Sequence, residues 1–131
     1  MRLIDYKLLN EVSKKAQTSE RLRMNHNFHD SLDAKAQRLL NALEPGTELP
    51  IHRHTKTAET YIILRGKIKV MFYDDEKNIT ETCILNPQLG CYGVHIPAGT
   101  WHTLEVLEHE SVIFEVKDGP YKPLTNDDIL N

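Results

Sequence analysis

His52 and His54 flank a single arginine, Glu59 follows after a short polar turn, and His102 stands far downstream behind Pro97, Gly99 and Trp101. On an extended segment, side chains two apart point to the same face, so the two histidines are expected to project together. Glu59 opens the apolar run ETYIIL, and an antiparallel neighbour would return its carboxylate over that face. Three imidazoles and one carboxylate make a donor set for one divalent metal ion. Imidazole suits zinc, copper, iron and nickel, and a carboxylate shifts the preference toward harder ions such as manganese. Four protein donors on an octahedral ion leave two positions open, which a catalytic metal needs and a closed structural site lacks. Tyr61 shares Glu59's face by alternation and reads either as a proton donor or as a core tyrosine with a satisfied hydroxyl. His95 is a further ligand candidate of undetermined facing. Trp101 points away from His102 into packing, and His109 lies in a charged turn.

Strands must position these groups. From Gln37 onward the chain runs through QRLLNAL, ETYIIL, KIKVMFY, ITETCIL, VHIP, HTLEVL and SVIFEV, separated by turn-forming clusters such as Glu44-Pro45-Gly46, Asn86-Pro87 and Ala98-Gly99. KIKVMFY places Ile68, Val70 and Phe72 on one face and Lys67 and Lys69 on the other, the mark of a half-buried strand. Many short strands separated by turns indicate an all-β sandwich or barrel. Ahead of them, Asp5 is a helix N-cap and Leu8, Val12 and Ala16 form one apolar face. That helix is expected to cover an end of the core or an edge strand, or else to serve a dimer contact. Residues 17–35 read as irregular and polar. Arg21, Arg23, Asn25, His26 and His29 crowd this segment. They are expected either to fold over the barrel mouth and bind an anionic sugar or nucleotide-sugar phosphate, or to remain a solvated loop. One domain results: an N-terminal helix and polar segment (1–35), a barrel (36–119) and a C-terminal tail (120–131).

The stretch from Gly46 to Gly66 resembles the first motif of the cupins, matching it at Gly46, His52, His54, Glu59 and Gly66. The second cupin motif is matched at Pro97, Gly99 and His102. It departs at Cys91, where a glycine belongs and Gly90 stands one place off, and at Val106, where an asparagine belongs. The resemblance implies a double-stranded β-helix, or jelly-roll, barrel that binds one metal ion with His52, His54, Glu59 and His102. Over nearly the whole chain, Arg21-x-Arg23-x-Asn25, Phe28-His29, QRLLNALEPGT, HRH, LRG, IPAGTWHTL and FEVKDGPY are similar to the WbuC-like cupin-fold metalloproteins, found among bacterial O-antigen polysaccharide biosynthesis genes. That likeness implies a role in surface polysaccharide biosynthesis, and cupins in general suggest a homodimer.

Composition narrows the field. The 131 residues carry 16 basic and 19 acidic side chains, a net charge of −3, which gives no electrostatic footprint for nucleic acid. Basic residues between Lys14 and Arg23 are interrupted by Glu20 and read as a solvated face. Cys83 and Cys91 are too few for a disulfide scaffold and read as reduced thiols. The N-terminus lacks a signal-peptide pattern, and no stretch approaches the ~18–20 apolar residues of a membrane helix. A cytoplasmic protein is therefore expected, with a small-molecule ligand and no membrane or nucleic-acid partner. Three activities suit a metal in such a pocket: isomerisation or epimerisation of an oxygen-rich substrate through an enediolate, iron-dependent dioxygenation, or non-catalytic sensing of a sugar.

Overall fold

Strand alternation sorts the apolar residues into two packing layers. The computed structural model describes residues 1–131. It contains one helix, α1 (Tyr6–Thr18), and strands β1 (Arg23–Asn27), β2 (Ala36–Leu43), β3 (Glu59–Arg65), β4 (Ile68–Tyr73), β5 (Ile79–Leu85), β6 (Gly93–Ile96), β7 (Trp101–Val106) and β8 (Ser111–Asp118). They form two antiparallel sheets, of order β1-β2-β8-β3-β6 and β5-β4-β7. Residues of one parity on each strand, among them Leu43, Tyr61, Ile63, Ile68, Val70, Leu104 and Ile113, meet between the sheets as the barrel core. This is the expected jelly roll, with each apolar run forming a strand.

Residues of the opposite parity on β2 and β8 face outward and are covered by α1. Leu9, Val12 and Ala16 pack on Leu40, Ala42 and Val112. Asp5 caps the helix by accepting from the Leu8 N–H at 3.1 Å. The helix therefore lies across the outer face of the edge strand β1 and of β2 and β8, which is the edge-strand placement rather than one at an end of the core. Arg65 fixes it there. Its guanidinium donates to Asn10 Oδ1 at 2.7 Å, to Ser13 Oγ at 3.0 Å and to the Glu110 carbonyl at 2.9 Å. No helix is long and apolar enough to cross a membrane.

Residues 23–27 differ from the irregular reading: they form β1, paired with β2 from Arg23 opposite Leu43 to Asn27 opposite Leu39. The polar composition hid this strand because only Met24 and Phe28 nearby contribute apolar surface to the helix layer. Backbone pairing with the edge of β2 stabilises it instead.

Gly66 closes the β3–β4 turn with φ +88°, and a Cβ there would overlap Ser111 Oγ and lie 2.7 Å from the Ser111 Cα. Gly66→Ala should therefore destabilise the fold by about 2 kcal/mol or more, read as a lower urea midpoint. An unchanged midpoint would mean that the turn relaxes freely.

Candidate metal centre

Two backbone contacts set the site. His52 and His102 exchange main-chain hydrogen bonds, His52 N–H to His102 O at 3.0 Å and the reverse at 2.9 Å, and their rings lie 4.3 Å apart between centroids. The turn before His102 is pinned to the same segment, with Gly99 N–H donating to the His54 carbonyl at 2.8 Å. Glu59, the first residue of β3, comes in from the other sheet.

The imidazoles are oriented by carbonyls. Nδ1 of His52 donates to the Pro50 carbonyl and Nδ1 of His102 to the Thr100 carbonyl, each at 2.9 Å. Both rings thereby keep Nε2 for a ligand, as a carbonyl partner does in metal-binding histidines. Glu59 Oε1 lies 2.8 Å from His102 Nε2 and 3.5 Å from His54 Nε2, and it accepts the Tyr61 hydroxyl at 3.1 Å. One donor atom from each of His52, His54, Glu59 and His102 falls within 4.8 Å of all the others. This donor chemistry fits a single divalent ion, held by those four residues. The fit is open on one side only: His54 is 23% exposed, against 2% for His102 and 4% for Glu59.

Electrostatics favours the ligand-competent forms. Burial, reinforced by the neighbouring His102, lowers the His52 imidazole to about 4, and burial lowers His54 as well. Burial opposes ionisation of Glu59, yet the His102 hydrogen bond and the electrostatic pull of His102, His54 and Lys117 outweigh it and hold the carboxyl at about 2. Tyr61 is pushed well above its ordinary value by burial and by Glu59 and Glu115, so its hydroxyl is a neutral donor to Glu59.

A second buried carboxyl escaped the sequence reading. Glu115, on β8 opposite Tyr61, has the parity of the core residue Ile113 and is 7% exposed. Asn41 Nδ2 donates to its Oε1 at 3.2 Å, and Asn41 Oδ1 is buried without a partner. Burial and then Glu59 raise Glu115 to about 7, against the opposing pull of Lys117, the Asn41 hydrogen bond and His102. The available signal was an acid at an inward position of an otherwise apolar strand.

The remaining expected residues lie elsewhere. Arg23 pairs with Leu43, Leu43 with Ser111, and Glu59 with Lys117. Ser111 and Lys117 are six residues apart on β8, so Arg23 sits about 20 Å along the sheet from the level of Glu59. Arg21 and Arg23 flank a depression with Glu20, Gly46 and Glu48. Asn25 is exposed on β1, His26 lies edge-on to Phe28, and His29 Nδ1 accepts from the Arg38 N–H at 3.1 Å. None of these five borders the opening at His54. That opening is a cavity of about 320 Å³ walled by the C-terminal tail, with Arg53, Lys56, Lys117, Lys122 and Tyr121 among its lining. His95 points outward to Thr60 Oγ1 at 3.0 Å. Trp101 is buried, and its Nε1–H donates to Asp75 at 2.9 Å.

Metal retention should depend on pH with a definite sign. In the unfolded chain His52 takes a proton near 6.5, and in the folded metal-free chain only near 4. Between those values the unfolded state holds more protons, so stability falls on acidification. The metal-free protein is expected to lose stability progressively from pH 6.5 to 4, and saturating divalent metal to offset the loss most at the upper end of that window. A metal-free urea midpoint that is flat across it would contradict the buried neutral imidazole.

The fold agrees with that of known structures similar to this chain. A family profile described as "Domain of unknown function (DUF6016)" matches residues 4–85. No curated protein matches. Among solved structures, KdgF from Halomonas sp. superposes with a TM-score of 0.60 at 16% identity, over 80% of this chain and 85% of that one. The cupin domain of Schizosaccharomyces pombe Cnp3 gives 0.59 at 13% identity, over 76% and 66%. The capsular polysaccharide assembling protein CapF from Staphylococcus aureus gives 0.61 at 20% identity, over 81% of this chain and only 28% of CapF. The chain therefore has the cupin fold and belongs to the DUF6016 domain family.

Proposed function

We propose that the protein is a metal-dependent enzyme of the isomerase or epimerase type. Its substrate is a sugar-like, oxygen-rich small molecule, and its setting is bacterial surface polysaccharide biosynthesis in the cytoplasm. The observation that carries this reading is the donor set itself: four convergent ligand atoms, closed by the barrel on the His102 side and open to a cavity on the His54 side. The metal would be zinc, iron, manganese or nickel, and when bound it supplies Lewis-acid polarisation of a substrate oxygen. His52, His54, Glu59 and His102 hold it. Tyr61 keeps its proton and steadies Glu59.

Isomerisation also needs a group that accepts and returns a proton near neutral pH. Glu59 is committed as a ligand. Glu115, opposite Tyr61 on the same interior face and raised by burial and by Glu59 to about 7, is the candidate for that exchange, although it does not line the cavity. The likeness to CapF, named for assembling capsular polysaccharide, and the motif resemblance to WbuC-like proteins support the polysaccharide setting. A homodimer is part of the proposal. Ile62, Leu64 and Val116 stay exposed on the outer sheet face beside α1, a surface that suits pairing.

Elemental analysis of the purified protein beside His102→Ala and His54→Ala tests the reading. About one equivalent of a divalent metal is expected in the parent, as one four-donor site holds one ion, with loss in both variants while the circular dichroism of the barrel persists. Metal content unchanged in both would remove the ligand assignment. Oxygen uptake by an iron-loaded sample would move the assignment to the dioxygenase reading.

A further inference from the structure

We propose that the cavity above His54 is an oxyanion subsite, taking the phosphate or carboxylate group of the small molecule whose other oxygens face the metal centre. The inference rests on the metal-centre reading and adds the charge of the ligand to it.

The cavity is built by the chain's last segment. Gly119 N–H donates to the Lys35 carbonyl at 2.8 Å and Tyr121 N–H to that of Leu32 at 2.7 Å. Farther along, Arg53 N–H donates to the Asp128 carbonyl at 3.0 Å and Leu130 N–H to that of Ile51 at 2.8 Å. The tail is thus fastened on both sides of residues 122–127, and the wall is preformed, which spares a ligand the entropy of ordering it.

Its charge is opposite to that of the chain. The protein carries −3 overall, yet four cations, Arg53, Lys56, Lys117 and Lys122, line the cavity against two acids, Asp118 and Asp128. Asp128 is already engaged, accepting from the Thr125 N–H at 2.9 Å and the Thr125 hydroxyl at 3.0 Å. A cavity with a surplus of positive charge focuses the field on an entering anion.

The position of Arg53 points the same way. The Arg53 guanidinium lies over the Trp101 ring, its Cζ 4.1 Å from the ring centroid, a cation–π contact that holds the group in place. Arg53 also lines the cavity, and a guanidinium held in place pairs with an anionic oxygen through charge-assisted bonds. By contrast, the depression at Arg21 and Arg23 sets those two cations against Glu20 and Glu48 and has no surplus of charge.

The test titrates inorganic phosphate and, separately, malonate into metal-loaded and metal-stripped protein, following backbone amides by NMR. Saturable shifts are expected at residues 53–57 and 117–124. Lys56→Ala/Lys122→Ala removes two exposed side chains and should weaken binding about tenfold or more, as loss of charge-assisted contacts does. Lys117→Ala should weaken it also, and Arg21→Ala/Arg23→Ala should leave it unchanged. Absence of saturable shifts, shifts centred on residues 20–23 and 46–48, or full affinity in the Lys56/Lys122 variant would overturn the subsite. Lysine-dependent binding to protein that takes up no metal would sustain the subsite while the metal-centre reading fails. Binding that requires loaded metal and ignores the lysines would do the reverse. A preference for either probe identifies the oxyanion.

Discussion

An ionised carboxylate with almost no access to water sets the terms for this barrel. Isolated in an apolar interior, Glu59 would be neutralised or expelled, because the desolvation of a charge exceeds what packing returns. It stays because the Tyr61 hydroxyl, the His102 imidazole and the charge of Lys117 converge on it. Each comes from a different part of the fold. Tyr61 shares its strand, Lys117 is its register partner on β8, and His102 arrives from the opposite sheet through the bridge with His52. A one-residue slip of β3 against β8 would turn Glu59 outward and put Thr60 in its place, so the register of the larger sheet and the integrity of the centre are one constraint.

The same constraint explains why part of the molecule was legible from sequence. His52, His54, Glu59 and His102 stand at fixed spacings because the geometry of two strands and one turn admits few alternatives, and the residue types are too costly indoors to occur together without purpose. The apolar runs gave each barrel strand for a similar reason: alternation is the only pattern that buries one face. β1 escaped because an edge strand stabilised by backbone pairing needs no apolar alternation. Of the two readings open for residues 21–29, folding over the mouth is the one that strand order rules out. Arg21 and Arg23 are near one another in sequence, and proximity to His54 depends on strand order, which local pattern does not carry. Lys117, near the end of β8, and Lys122, in the tail, reach the opening only because β8 lies next to β3 and the tail folds back.

The two departures from the second cupin motif have separate physical resolutions. Gly90 adopts φ +78° and makes the left-handed step one residue early, so Cys91 needs no glycine conformation. Its backbone instead pairs with Asn86 in both directions, at 2.8 and 3.2 Å. Val106 takes the place of a polar residue but lies in the core opposite Ile68, distant along β7 from His102. Neither change touches a ligand atom.

Glu59 and Glu115 then divide the work of the interior between them. Both are buried, both lie on the inner face of the larger sheet, and each raises the cost of charging the other. Glu59 wins the anionic state because imidazoles and Tyr61 surround it. Glu115 has only the weaker Asn41 amide and a share of Lys117, so it is left near 7. Two carboxyls whose surroundings drive them apart are how one site holds a permanent anion beside a group that exchanges protons near neutrality. Lys117 sits between these demands and the cavity at His54, drawing on Glu59, Glu115 and the opening at once. An anion seated in that cavity would claim part of its charge and push Glu115 further toward its protonated form. With the proposed subsite filled, occupancy of the mouth and the proton state of the interior acid would draw on that one ammonium group.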